Sequence, residues 1–596
     1  MGYADARCYG GEIDTPALDR LAAEGLRFTR FRATPMCVTS RVAILSGMSY
    51  QANGRMDYER SLPLTDPLRR AGYRTGIAGK WHASNGHPLD EGFFDRFFGF
   101  LGGMSDCHAG GPDWFDDRAP FKEFGPGFDA TTRITDASLR YMGEALDEQQ
   151  RFFMLVSYNA PHHPLQARRE TYEKYLGRYR AGFQAIRGQR LARQREMGII
   201  PPDFRVAPHT PEVRIWDELP PQRQEIEDQR MAAYAAMLDE MDQGIARILA
   251  FLEQRGVLDQ TVVIFASDNG GYFNTGDPQT HGNMKPWLPR SNQSVGSDWG
   301  WVQNTPFNHF KQTAFEGGLA VPFIVRYPPA LAGRAGQMTS IAADFTDLYP
   351  TILHLTGATR PEVHSGQPLK PLTGKNFWPA LVDGADFTPP ERFHWFQPTR
   401  ALIQGDDKVV SIHDGPWQLF DLASDRGETT DLASVHPELC QRLADRWHTY
   451  AESIGMSPGD RRPALPHPHA WGWHRLQMVL PQLVAIFPEN GKFTQPGIDR
   501  FEMTFADPLD FSRSAGKRIH LFAVSDEENP VWDIPLGPDH PAQGRKTLRV
   551  EGLPPLKPDT QYYLIIPPDA FQVGGKPAGR VNDGAYWWRF RTKAGD

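Results

Sequence analysis

The chain has 596 residues, with 64 Lys+Arg against 72 Asp+Glu for a formal net charge of −8, and its length allows about three to five domains. Hydrophobic residues make up 40% and charged residues 23%, so a packed core is expected, disorder as the main state is excluded, and the acidic balance argues against a general nucleic-acid binder. Cys8, Cys37, Cys107 and Cys440 are too few and too scattered for a disulfide scaffold or a Cys-rich zinc module, no apolar run is long enough to span a membrane, and no signal-peptide pattern is visible.

Residues 1–355 alternate helical and strand patterns. Thr15 reads as an N-cap, with Pro16 in the first turn, an apolar stripe of Leu18, Leu21 and Ala22, and Gly25 as the stop. Phe152-Phe153-Met154-Leu155-Val156 is a short apolar run, as expected of a strand buried on both faces. From Gln166 to Gln229 the chain is polar and rich in Arg and Glu, which predicts an exposed helical arm or lid. Met231 to Leu252 is an amphipathic helix with Tyr234, Met237, Leu238, Met241, Ile245, Ile248, Leu249 and Leu252 on one face. The β-branched run Thr261-Val262-Val263-Ile264-Phe265 follows at once. Helix and buried strand in alternation predict an α/β domain, a mostly parallel sheet sandwiched by helices.

Gly270 to Phe310 is rich in Gly, Asn, Pro and Trp, and a loop that long inside a compact domain is usually functional. Its Trp287, Trp299 and Trp301 could stack on an aromatic or sugar ring, or pack on one another. Short strands over 395–425 and a helix from His436 to Ile454 predict a small antiparallel subdomain. Pro458, Pro463, Pro466 and Pro468 mark a linker. Beyond it, Phe501–Phe505, Arg518–Phe522 and Trp587–Phe590 alternate with period two, which predicts an all-β sandwich. The expected division is 1–385, 386–455, a 456–480 linker, and 481–596.

Five stretches carry residues suited to chemistry. Cys37 opens a helix-like segment four residues ahead of Arg41, where the helix dipole and free N–H groups favour a thiolate or an anionic substrate; an inert buried thiol is the plain alternative. Lys80 and His82, two apart, would point to one side of an extended segment, an ammonium and an imidazole able to hold an oxyanion and move a proton. Pro161-His162-His163-Pro164 follows a strand, where ligand crevices open in α/β sheets. Asp268 and Asn269, at another strand end, offer hard oxygens for Ca2+ or Mg2+, although Asp-Asn-Gly also favours a plain turn. Lys311 precedes Glu316-Gly317-Gly318, a glycine pair that permits close backbone approach.

In order and type, Cys37-x-x-x-Arg41, Gly79-Lys80-Trp81-His82, Pro161-His162-x-Pro164, Ser267-Asp268-Asn269-Gly270 and Lys311-x-x-x-x-Glu316-Gly317-Gly318 resemble the formylglycine-dependent sulfatases of the alkaline phosphatase superfamily, nearest to bacterial arylsulfatases. Asn304-Thr305-Pro306-Phe307, Asp347-Leu348-Tyr349-Pro350 and Gly415-Pro416-Trp417-Gln418 support the resemblance, which runs from residue 1 to about residue 455. It implies an alkaline phosphatase-like fold and hydrolysis of sulfate esters. Cys37 would become formylglycine, Arg41 would hold its hydrated form, Lys80 and Lys311 would bind sulfate oxygens, His82 would take the diol proton, and His162 would protonate the leaving oxygen. Asp268 and Asn269 would help hold Ca2+, with Mg2+ as the other candidate. The implied partners are a sulfated small molecule or glycan and a formylglycine-generating enzyme, with a periplasmic or secreted location. The tail, through Ile486-Phe487-Pro488 and Trp588-Arg589-Phe590, resembles bacterial Ig-like domains.

Two positions depart from the family pattern. Thr39 stands where the family usually has Pro or Ala, two residues after the modified Cys. The family also begins with a buried strand ending in two adjacent aspartates before a Met-Gly-Tyr sequence, whereas this sequence starts at Met1-Gly2-Tyr3. The expectation is that Met1 is an internal methionine with native chain upstream, that the metal site is short of carboxylates, and that neighbouring strands lack ladder partners around an opened core. Two other functions fit the same residues: phosphodiester or phosphonate monoester hydrolysis, and a non-catalytic sulfated-glycan binder.

Overall fold

The computed structural model describes residues 1–56, 58, 60–206, 213–272, 285–396, 399–412, 416–456, 483–487, 493–494, 498–523, 530–558, 560–567, 570–577 and 589–592. The Pro-rich linker, Gly415, residues 488–491, Trp587 and Trp588 lie outside that set, as does 273–284 of the long loop.

Two mixed sheets with helices around them form the first 358 residues. In chain order the elements are α1 (Pro16–Glu24), β1 (Leu26–Phe28), α2 (Cys37–Ser46), α3 (Thr65–Arg70), β2 (Tyr73–Lys80), β3 (Arg96–Phe100), β4 (Trp114–Asp116), β5 (Ala119–Pro120), α4 (Ala130–Asp147) and β6 (Arg151–Ser157). There follow α5 (Arg169–Tyr175), α6 (Gly182–Glu196), α7 (Pro221–Gln254), β7 (Val263–Ala266), α8 (Gly296–Gln303), β8 (Phe323–Arg326) and β9 (Met338–Thr339). One sheet runs β5-β4-β3-β2-β6 and the other β7-β8-β1-β9. The β2 strand lies parallel to β3 and β6, with β4 and β5 antiparallel at the far edge, whereas β8 is antiparallel to both β7 and β1, so the expected parallel order holds in the β3-β2-β6 part of the first sheet and gives way to a mixed one elsewhere.

Local sequence explains the helix starts only in part. Asp129 caps α4 by accepting from Thr132 N at 2.7 Å, as a short acidic side chain at that position should. Thr15 does not cap α1; its hydroxyl instead accepts from Arg7 N at 2.9 Å. The free N–H groups of Ala17 and Leu18 are taken up by Asp242 of α7, at 2.8 and 2.9 Å.

Both β6 and β7 are sheet edges, and they line a shared slot of about 750 Å3. Met154 and Val156 of β6, Ile264 and Phe265 of β7, and Ile245 and Leu249 of α7 give it an apolar wall. The run Phe152–Val156 is therefore half-buried, not buried on both faces.

The polar stretch after Gln166 is not an exposed arm. In α6, Phe183 and Ile186 join the core, and Arg187 and Arg190 are fully enclosed. Arg187 donates to the carbonyls of Trp301, Pro306 and Phe307, and Arg190 pairs with Asp5 and Glu12. Composition misleads here because a buried guanidinium is tolerated when most of its donors find acceptors, as the Nη groups of Arg187 and all three nitrogens of Arg190 do. Trp299 and Trp301 of α8 are likewise buried, Trp299 edge-on to Phe183 and Trp301 under Arg187, so neither faces a substrate.

Four antiparallel strands, Arg392–Phe396, Thr399–Gln404, Asp407–Ile412 and Gln418–Asp421, form the small subdomain, covered by the helix Pro437–Ser453 through Leu443 and Trp447. In the tail, a three-stranded and a five-stranded sheet share a core of Phe501, Met503, Leu521, Leu548 and Leu564. The Arg500–Phe505 strand alternates buried and half-buried residues, as its period-two pattern predicts.

Candidate active site

Cys37 is the first residue of α2, with no side chain capping the helix start, so it sits at the positive end of the helix dipole. The loop before it is fixed by its own hydroxyls: Thr39 Oγ1 donates to Met36 O at 2.7 Å, and Thr34 N donates to Ser40 Oγ at 3.0 Å. Thr39 thus has a structural part in the turn that presents Cys37.

The other candidates arrive from strand C-terminal ends. Lys80 is the last residue of β2, Ser157 the last of β6, and Asp268 lies just beyond β7. Gly79, with φ 109°, allows β2 and β6 to end close together, since a Cβ there would lie 1.9 Å from Ser157 O. His82 does not share a strand face with Lys80. The strand stops at Lys80, and His82, at φ 44°, turns back to bring Nδ1 to 3.4 Å from Cys37 Sγ. Lys80 thus reaches the pocket from the strand end and His82 by a turn, not by alternation along one strand.

Lys311 Nζ lies 3.9 Å from Cys37 Sγ and 3.3 Å from His162 Nε2. His162 Nδ1 lies 2.8 Å from its neighbour's carbonyl, His163 O, so this ring donates through Nδ1 and accepts from Lys311 through Nε2. Arg41 donates from Nη1 to Lys80 O at 2.7 Å and Ser157 Oγ at 2.6 Å, and its Nε stands 3.4 Å from Asp268 Oδ2. Sequence reasoning missed Ser157 and Tyr272. Tyr272 stacks on His163 at 4.8 Å, with its ring 5.1 Å from Lys311 Nζ. No local pattern marks either residue.

The charges shape one another. Burial would raise the Cys37 thiol, but Lys311, Lys80 and the His82 hydrogen bond hold it well below its ordinary range, favouring thiolate. Burial would also raise Asp268; Lys80, Arg41 and Lys311 keep it ionised. His162 is pushed well below the usual imidazole value by burial, then by Lys311, His163 and Lys80, and so is neutral in the free site. Burial lowers Lys80, against Cys37 and Asp268, which raise it.

Asn269 Oδ1 is buried with no hydrogen-bond partner, as an oxygen meant for a cation would be. Asp268 adds one carboxylate. In kind these donors suit a hard cation; in number they fall short of the six to eight oxygens that Ca2+ takes. Among the described residues no group of three His, Cys, Asp or Glu could hold a metal.

Comparison with protein-family models matches residues 1–358 to the family described as Sulfatase. An uncharacterised sulfatase of Schizosaccharomyces pombe is 30% identical over 519 residues, spanning 76% of this chain and 92% of that protein. An arylsulfatase of Klebsiella aerogenes is 29% identical over 420 residues, 63% of this chain and 88% of its own. A solved protein in complex with its substrate D-glucosamine-2-N,6-O-disulfate shares the fold with a TM-score of 0.53 at 19% identity, over 78% of this chain and 98% of that one. With the family match running through the Cys37 loop and all three strand ends of the pocket, the chain belongs to the sulfatase family and hydrolyses sulfate esters.

Proposed function

We propose that Cys37, oxidised to formylglycine, is the nucleophile of this hydrolase and that Lys80, Lys311, His82, His162 and Arg41 are its working side chains. The observation that carries this reading is the convergence of two ammonium groups and two imidazoles on position 37. Formylglycine supplies a hydrated aldehyde whose oxygen attacks sulfur and whose second hydroxyl later releases sulfate. A sulfate ester arrives with one negative charge, and more develops on the leaving oxygen. Lys80 and Lys311, buried and already in place, stabilise that charge without reorganisation.

His82, beside position 37, takes the proton from the attacking oxygen. His162 is neutral before substrate binds. The bound anion offsets the Lys311 and Lys80 charges that hold its affinity for protons down, so Nε2 gains a proton and passes it to the leaving oxygen. Arg41 braces the ends of β2 and β6 against Asp268. The family implies a divalent metal as well as formylglycine. Asp268 and Asn269 are its ligands in this reading and Ca2+ its identity, with Mg2+ second, and no step is routed through it.

The substrate is a sulfated small molecule (an aryl or alkyl sulfate) or a sulfated glycan, and the maturing partner is a formylglycine-generating enzyme. The domain limits are 1–385, 386–455, 456–480 and 481–596, with the tail an Ig-like module. A periplasmic or secreted site agrees with the frequent location of the family; among the described residues no helix is long and apolar enough to cross a membrane. Co-expression with a maturing enzyme, peptide mass at Cys37, and turnover of an aryl sulfate against an aryl phosphodiester test the reading. An unmodified Cys37, or faster turnover of the phosphodiester, refutes it.

A further inference from the structure

Glu316 lies in the same short motif as Lys311, yet nothing in the reaction uses it. It is fully buried, and its carboxylate accepts from Arg32 Nε at 2.7 Å, Arg32 Nη2 at 3.2 Å, Arg426 Nε at 3.0 Å and Lys408 Nζ at 3.4 Å. Each donor belongs to a different part of the chain. Arg32 begins the arm that leads to Cys37, Lys408 lies on the Asp407–Ile412 strand of the small subdomain, and Arg426 follows that subdomain's last strand. Glu428 completes the group, accepting from Glu316 N at 2.7 Å and forming an ion pair with Lys408 Nζ at 2.7 Å.

The backbone around this cluster ties the Lys311 arm to the Cys37 arm. Gln312 N donates to Pro35 O at 2.7 Å, and Ala33 N donates to Leu319 O at 2.7 Å. Ala314 N donates to Thr399 Oγ1 of the subdomain at 2.9 Å. Gly317 and Gly318 admit no side chain, since a Cβ would lie 2.0 Å from Asn308 O and 2.1 Å from Thr313 O respectively. His309 and Gln312, on either side of Lys311, both have left-handed backbone, at φ 61° and 72°. Such conformations persist in non-glycine residues only when the surroundings over-determine them.

A buried ion cluster is a poor device for stability alone, because desolvation offsets most of its attraction. Its effect here is geometric. We propose that Glu316 is a positioning residue for Lys311: with Arg32, Lys408, Arg426 and Glu428 it clamps the Lys311 arm to the Cys37 arm, and the small subdomain is thereby part of the active-site support. The inference rests on the reading that Lys311 binds sulfate, and deepens it.

The test is a double-mutant cycle on the full chain with Glu316→Gln, Lys311→Met and both together. Two quantities are read: inorganic sulfate affinity by calorimetry, which needs no turnover, and kcat and KM for an aryl sulfate. A misplacement of about 1 Å costs up to about 100-fold, so Glu316→Gln should weaken sulfate binding and lower kcat by about 10- to 100-fold, and the double variant should be no worse than Lys311→Met alone. Multiplicative losses in the double variant overturn the proposal, as does a Glu316→Gln protein that melts earlier but binds sulfate as before. Should Glu316→Gln not fold, Arg426→Met at the rim of the cluster takes its place in the cycle, with the same non-additivity expected and the same additivity fatal. A wild-type chain that binds sulfate but turns over no ester refutes the proposed function while leaving this cycle decisive.

Discussion

Replacing Lys311 by Met keeps the stem and removes the charge. The ammonium stands 3.9 Å from Cys37 Sγ and 3.3 Å from His162 Nε2. At that range, two unit charges interact by about 4 kcal/mol at an effective dielectric near 20, and loss of one preorganised oxyanion donor costs about 100- to 1000-fold in kcat. Lys311→Met should therefore lower kcat/KM for an aryl sulfate by about 100- to 1000-fold. Its pH signature is separate. Burial and then Lys311 hold the His162 pKa down, so the variant lets it rise toward the ordinary imidazole value. Because the proposed acid role requires a protonated His162, the alkaline limb of kcat moves to higher pH. Steady-state kinetics across pH on matured enzyme measure both effects. A loss under about 3-fold, well below one oxyanion donor's share, refutes the sulfate-binding role of Lys311; an alkaline limb that stays or moves down refutes the coupling to His162.

Cys37→Ala should abolish turnover while leaving inorganic sulfate binding measurable by calorimetry; residual turnover would remove Cys37 from the mechanism. Among the described residues β6 and β7 have no strand partner on the slot side, which predicts that a seven-residue apolar peptide binds between them by strand addition and raises the melting temperature saturably. A charged peptide of equal length should have no effect, and equal shifts from both would deny the slot its specificity. Asp242, which caps α1 through two backbone N–H groups, has its pKa raised by burial from 3.8 to about 6. Its contribution to stability is full below pH 3.8 and is lost as pH rises through about 6, a slope worth about 3 kcal/mol. Asp242→Asn should flatten that part of the urea-unfolding stability profile, and an unchanged slope would refute the assignment.

The pocket was legible in the sequence where chemistry sits at strand ends. The apolar runs before His162 and Asp268 marked β6 and β7, Lys80 was read on an extended segment, and the ends of β2 and β6, neighbours in one sheet, meet the end of β7 from the other sheet across the slot. What local pattern cannot carry is pairing at a distance. Nothing around Phe323–Arg326 announces that β8 runs antiparallel between β7 and β1. The Arg-rich α6 looked solvated because its acceptors, Asp5, Glu12 and the 301–307 carbonyls, lie far away in sequence. Glu316 was visible only as the residue before a glycine pair; its partners at positions 32, 408, 426 and 428 come from three other segments.

On the proposed mechanism, the charge of the pocket gives oxidation of Cys37 a second consequence. Arg41, Lys80 and Lys311 set three positive side chains against the single carboxylate of Asp268. An unoxidised Cys37, drawn toward thiolate by Lys311 and Lys80, cancels part of that excess at the point where sulfate must sit. A hydrated aldehyde is neutral there. Conversion therefore does more than exchange sulfur for oxygen as the attacking atom: it removes a negative charge from beside the substrate's own. At neutral pH the unconverted chain should then bind inorganic sulfate more weakly than Cys37→Ala does, and the gap should close as the pH falls and the thiolate takes up its proton. Equal affinities at neutral pH would mean that Cys37 is a thiol there, and that the cations around it act on the substrate alone.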